Sequence, residues 1–161
     1  MKESFAPTIA YLFSPACEGF ESTLSGDVGG DTIAGVSSHW YPETFAAMKA
    51  KLQQGDKAGA LQIATAFYHD RYWVPEGCDD LSSPLDKMVF VEAVNTEGAD
   101  CHHTRAIAVQ TGTPGGFLTA MDAHYRAIVA SKPADAKFLG AWEGRLKRLA
   151  AWCGVSWSPN G

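Results

Sequence analysis

Four glycines within ten residues, Gly26, Gly29, Gly30 and Gly35, limit what this chain can build more than any other feature. A backbone with so few Cβ atoms turns tightly and lets a ligand approach closely, but it does not run as a helix. Residues 24–36 are the one stretch with strand potential, enough for a short irregular hairpin. Past it, apolar residues recur at helical spacing almost to the end.

Pro42 suits a first helical position, Phe45, Met48 and Leu52 follow on one face, and Gly55 reads as the stop. Asp56 then caps a second helix with Leu61, Ala64, Tyr68 and Tyr72 in one stripe, ending near Trp73 and before Pro75. Residues 74–83 carry loop chemistry. Pro84 opens a segment through Leu85, Met88, Val89, Phe90, Val91 and Val94 that is apolar on more than one face, as central helices are. Glu92 and Asn95 share one side of it, and they either knit the core or line a cleft. Phe117, Met121, Tyr125 and Ile128 mark a further helix, and Phe138, Trp142, Leu146, Leu149 and Cys153 the last. The expectation is a mainly α fold of about six or seven helices.

With 161 residues, 46% of them hydrophobic, the chain supports one well-buried core with an appended subdomain rather than two independent domains. A net charge of −5 with acids and bases interspersed leaves no basic field to neutralise phosphates, which argues against nucleic acid. Arg145, Lys147 and Arg148 form the one dense basic stretch. No apolar run approaches the roughly 18 residues of a membrane span. The N-terminal apolar run is short, preceded by Glu3 and broken by Pro7 and Pro15, so no export signal is read and synthesis in the cytoplasm is expected. Cys17, Cys78, Cys101 and Cys153 are too widely spaced for a disulfide scaffold. Cys101-His102-His103 is a poor metal set, because neighbours on one helix point in different directions; no metal or cofactor is expected.

The chemistry gathers around the glycines. Glu18 ends an apolar segment holding Ile9, Leu12, Phe13, Cys17 and Phe20, a setting that favours its protonated form and suits a proton donor. Asp27 sits nine residues on in a polar turn, where it stays ionised and suits a base. Thr32 adds a hydroxyl able to hold a water beside it. Two carboxyls and a held water are what glycosidic cleavage needs, and a water between base and sugar goes with the wider separation, roughly 6.5–9.5 Å, of inverting enzymes. The plainer reading is a helix end followed by a glycine turn in which Asp27 and Asp31 satisfy backbone donors. Tyr72 and Trp73 offer ring faces for a sugar.

The run Cys17-Glu18-Gly19-Phe20 … Gly26-Asp27-Val28-Gly29-Gly30-Asp31-Thr32 resembles the Glu-Gly-Gly-Tyr … Asp-Pro-Gly-Gly-x-Thr signature of glycoside hydrolase family 108, the phage-type muramidases. Tyr72-Trp73-Val74-Pro75 is similar to the family's Tyr-Trp-x-Pro segment, and Phe90 to Gly98 to its Phe-Asp-x-x-Val-Asn-x-Gly block. Gln110 and residues 138–145 look like the peptidoglycan-binding-type C-terminal half found in the same proteins. The resemblance implies a lysozyme-like α-helical fold, with a catalytic half over residues 1–83 and a binding half over 84–161, packed as one compact unit. It implies an endolysin-like N-acetylmuramidase that cuts the β-1,4 bond between N-acetylmuramic acid and N-acetylglucosamine in peptidoglycan. Glu18 would be the acid, Asp27 the base and Thr32 the water holder. Asn95 would orient Glu18 or bind an acetamido group. Phe20 and Glu21 stand where the family has glycine and tyrosine, and would reshape the cleft. Delivery to the cell wall would need a holin or a secretion apparatus. The rival reading is a peptidoglycan-binding or phage-assembly accessory protein without catalysis.

Overall fold

The computed structural model describes residues 2–15, 17, 21–22, 30–96 and 103–159, with residues 21–22 given by their backbone alone. The chain forms two compact units, Met1–Val74 and Pro75–Gly161. Seven α-helices and a three-stranded sheet account for most of the described residues. The mainly α expectation holds.

In the first unit α1 (Phe5–Leu12) buries Phe5, Thr8, Ile9 and Leu12, one face at helical spacing. Three two-residue strands, β1 (Glu21–Ser22), β2 (Thr32–Ile33) and β3 (Val36–Ser37), pair antiparallel in that order. Glu21 pairs with Ile33 and Ser22 with Thr32; Thr32 in turn pairs with Ser37 and Ile33 with Val36. The two residues joining β2 to β3, Ala34 (φ 49°) and Gly35 (φ 77°), both have positive φ, the geometry whose twist matches paired strands. Glycine adopts it freely, whereas alanine resists it. The Tyr68 hydroxyl, buried, donates to the Ala34 carbonyl at 2.9 Å and holds the turn in place.

Two helices follow as a hairpin. α2 (Pro42–Gln53) starts on its proline and stops at Gly55 (φ 75°), where Gly55 N–H donates to Leu52 O and Asp56 N–H to Lys51 O, both at 2.9 Å. Asp56 then caps α3 (Lys57–Tyr68), accepting from Gly59 N–H at 2.8 Å. The expected extension to Trp73 exists, but as a π-helical turn over His69–Trp73 in which Val74 N–H reaches back to His69 O at 3.0 Å. Such widened turns recur at functional sites.

The second unit holds α4 (Leu85–Thr96), α5 (His103–Thr111), α6 (Pro114–Ser131) and α7 (Ala136–Trp152), with α5 and α7 both packed on α6. α4 is buried nearly all round, from Leu85 and Asp86 through Met88 to Ala93. α5 is too short and too polar to announce itself by periodicity. Its first turn is fastened from outside: buried Glu76 accepts from the Thr104 hydroxyl at 3.1 Å and from Arg105 N–H at 3.2 Å, and Arg105 Nη1 donates to the Glu76 and Gly77 carbonyls. Arg126 ties α6 to α7, donating to Asp122 at 3.1 Å and to Glu143 at 2.7 Å.

Tyr68→Phe keeps the packing and removes the hydroxyl, leaving the buried Ala34 carbonyl without that donor. Urea unfolding should show a loss of about 1–3 kcal/mol with an unchanged m-value; an unchanged midpoint would mean that the turn does not depend on this bond.

Candidate active site

Thr32 stands at the centre of the small sheet, half-buried on β2, paired across to Ser22 and Ser37. Glu18, Phe20 and Asp27 lie outside the described residues, and Glu21 is described only as a backbone position of β1 paired with Ile33.

Beside Thr32 runs a groove of about 340 Å³, bounded by Asp31, Thr32 and Ile33 on one side and by Phe45, Lys49, Leu52 and Gln53 of α2 on the other. Helical spacing explains why α2 contributes these residues: positions 45, 49, 52 and 53 fall on one face. The Lys49 ammonium lies 5.8 Å from the centre of the Phe45 ring, a cation over an aromatic face. The groove therefore sets a carboxylate, a hydroxyl, an amide and an ammonium around an apolar floor. Lys49 and Gln53 were not singled out from sequence; the readable signal was their place on the Phe45–Leu52 face, directly after the glycine run.

The aromatic pair divides. Tyr72 is 9% exposed, and its hydroxyl lies 3.4 Å from that of Tyr41. Trp73 is fully buried and meets Phe5 edge-on with ring centres 5.0 Å apart. That packing leaves no face of Trp73 for a sugar.

Asn95 belongs to the second unit and lines a recess of about 180 Å³ with Thr96, His124, Tyr125, Trp142 and Arg145. Its amide donates to Val91 O at 2.8 Å and accepts from Arg145 Nη1 at 3.2 Å. Behind it Glu92 is wholly buried, accepting the Tyr125 hydroxyl on Oε2, with Arg145 Nε 3.4 Å from Oε1. Arg145 Nη2 donates to the Tyr125 hydroxyl at 2.8 Å. Burial holds the Glu92 carboxyl above its ordinary range, against the opposing pull of the Arg145 guanidinium and the Tyr125 hydroxyl. Of the two roles open to Glu92, the core role is the observed one. Asn95 sits at the rim.

His103 of α5 and His124 of α6 meet at 3.1 Å between Nε2 and Nδ1, and burial, with His103 beside it, holds the His124 ring below the usual histidine range. Burial also raises the Cys153 thiol to about 11 and the Cys78 thiol higher still, so both are protonated near neutral pH. Among the described residues no three His, Cys, Asp or Glu side chains converge as a metal cluster, and no helix is long and apolar enough to cross a membrane.

The family model described as Glycosyl hydrolase 108 matches residues 15–96, just over half of the chain. The match takes in the glycine run, β2, the groove and α4, and stops before α5. No curated protein and no solved structure matches the chain significantly.

Glu92→Leu should cost about 3–5 kcal/mol in urea unfolding, because it takes the carboxyl partner from a mostly buried guanidinium. The pH dependence has a defined sign. A carboxyl raised on folding contributes its stability fully below its ordinary value near 4.5 and loses it as pH climbs toward the raised value. Wild type should therefore lose stability relative to Glu92→Gln as pH rises from 4.5 to 7; a difference growing in the other direction would mean that Arg145 outweighs burial.

Proposed function

Because the chain belongs to the glycosyl hydrolase 108 family, a family of glycoside hydrolases, we propose that it is an N-acetylmuramidase. It cuts the β-1,4 bond between N-acetylmuramic acid and N-acetylglucosamine in peptidoglycan. The observation that carries this reading is the groove beside Thr32, which lies within the family-matched region and joins a hydroxyl to an ammonium and an apolar wall.

Glu18 protonates the leaving oxygen, Asp27 draws a proton from water, and Thr32 holds that water, with inversion at the anomeric carbon. Lys49 suits the lactyl carboxylate that distinguishes muramic acid from glucosamine. A partly exposed ammonium can meet such a group without the cost of burying a charge. Tyr72 packs against Tyr41 and Phe67, Phe20 and Glu21 set substrate preference, and Asn95 is a polar contact of the second unit's own recess. The protein reaches the wall through a holin or a secretion apparatus.

Purified protein should clear suspended cell walls and release reducing ends. Glu18→Gln should lower kcat by about 10²–10⁴ with an unchanged Tm, and Thr32→Val should lower it by less. Lys49→Ala should raise KM on peptidoglycan and leave cleavage of N-acetylglucosamine oligomers unchanged relative to wild type. The departures at Phe20 and Glu21 favour one rival, a wall-binding protein. It would sediment with cell walls and release no reducing ends.

A further inference from the structure

The pair His103–His124 has no part in the hydrolytic chemistry, and its geometry departs from that of two simply hydrogen-bonded rings. His103 lies in the first turn of α5 and is exposed; His124 is half-buried near the middle of α6, the helix on which α5 packs. The nearest ring nitrogens, His103 Nε2 and His124 Nδ1, are 3.1 Å apart. A ring nitrogen sits about 1.1 Å from its ring centre, so a head-on N–H···N bond of this length holds the centres about 5.3 Å apart. The observed separation is 4.4 Å with the planes tilted by 48°. The two rings are therefore tilted against each other and not aligned head-on along that bond.

Those two distances are close to the ones two imidazoles take around a shared ion. With metal–nitrogen bonds of about 2.0–2.1 Å and an angle of 90–110° at the metal, the nitrogens are about 3.0–3.4 Å apart and the ring centres about 4.5–5 Å. The first distance is met as it stands, and the second needs a shift of a few tenths of an ångström in an exposed ring. Imidazole favours zinc, nickel and copper over the hard alkaline-earth ions, which take oxygen.

We propose that His103 and His124 form a binding site for a divalent first-row transition-metal ion, Zn²⁺ or Ni²⁺, that clips α5 to α6, with water completing the coordination. Each histidine then carries its proton on the other ring nitrogen, His103 on Nδ1 and His124 on Nε2. A two-ligand site open to water is weaker than the closed four-ligand cages of structural zinc and exchanges its ion with solvent. The pairing also explains why reading Cys101-His102-His103 along the chain gave a poor ligand set: the second imidazole comes from a different helix, 21 residues on.

The test is calorimetric titration of the full chain with Zn²⁺ alone and with Ni²⁺ alone at pH 7.5 in a non-chelating buffer, repeated on His103→Ala and on His124→Ala. Wild type should bind one ion, each substitution should weaken binding at least tenfold, and a metal-dependent rise in Tm should vanish in both variants. His103 is exposed, so His103→Ala leaves the packing intact and isolates the ligand effect from folding. Absence of binding by wild type overturns the proposal. So does binding that survives either substitution, whichever residues then hold the ion.

Discussion

The first unit turns on a backbone conformation that its sequence resists. Ala34 and Gly35 both adopt positive φ, and only the glycine does so without strain. The bond from the buried Tyr68 hydroxyl to Ala34 O offsets that resistance and anchors the β2–β3 hairpin to the end of α3. Thr32 and the groove along α2 are held by this hairpin. Where the chain bends back at residues 34–35 decides where Thr32 stands at the edge of the groove.

The second unit is organised by a different kind of constraint. A carboxyl on the most buried helix must be satisfied, and Glu92 draws Tyr125 from α6 and Arg145 from α7 toward α4. Such a network costs desolvation, and its hydrogen bonds join the three helices at one place. It also fixes the rim of the recess where Asn95 sits, since Asn95 Oδ1 accepts from the same guanidinium.

Elements with local causes were legible from sequence. α2 has its proline at the start and Gly55 at the stop, and α3 has Asp56 as cap; each signal lies within a few residues of its effect. The hairpin was expected within residues 24–36; β2 and the start of β3 fall there, while β1 (Glu21–Ser22) and Ser37 lie outside it. Elements with distant causes were not legible. α5 depends on Glu76, 29 residues before Arg105, and the partners of Glu92 lie on helices far along the chain. The π-turn at His69–Trp73 was not readable either; it carries Trp73, next to the expected Tyr72, fully into the core. Of the site, Thr32 was readable as a hydroxyl five residues past an acid. Lys49 and Gln53 were not, because only the fold sets α2 against β2.

The activity proposed for this glycoside hydrolase is cleavage on the reducing side of muramic acid. The most direct measurement is to digest purified peptidoglycan, reduce the products with borohydride, and identify the reduced sugar by mass spectrometry. Muramidase action leaves N-acetylmuramitol at the new ends, and Glu18→Gln leaves none above background. N-acetylglucosaminitol, or no new reduced ends from the wild type, would contradict it.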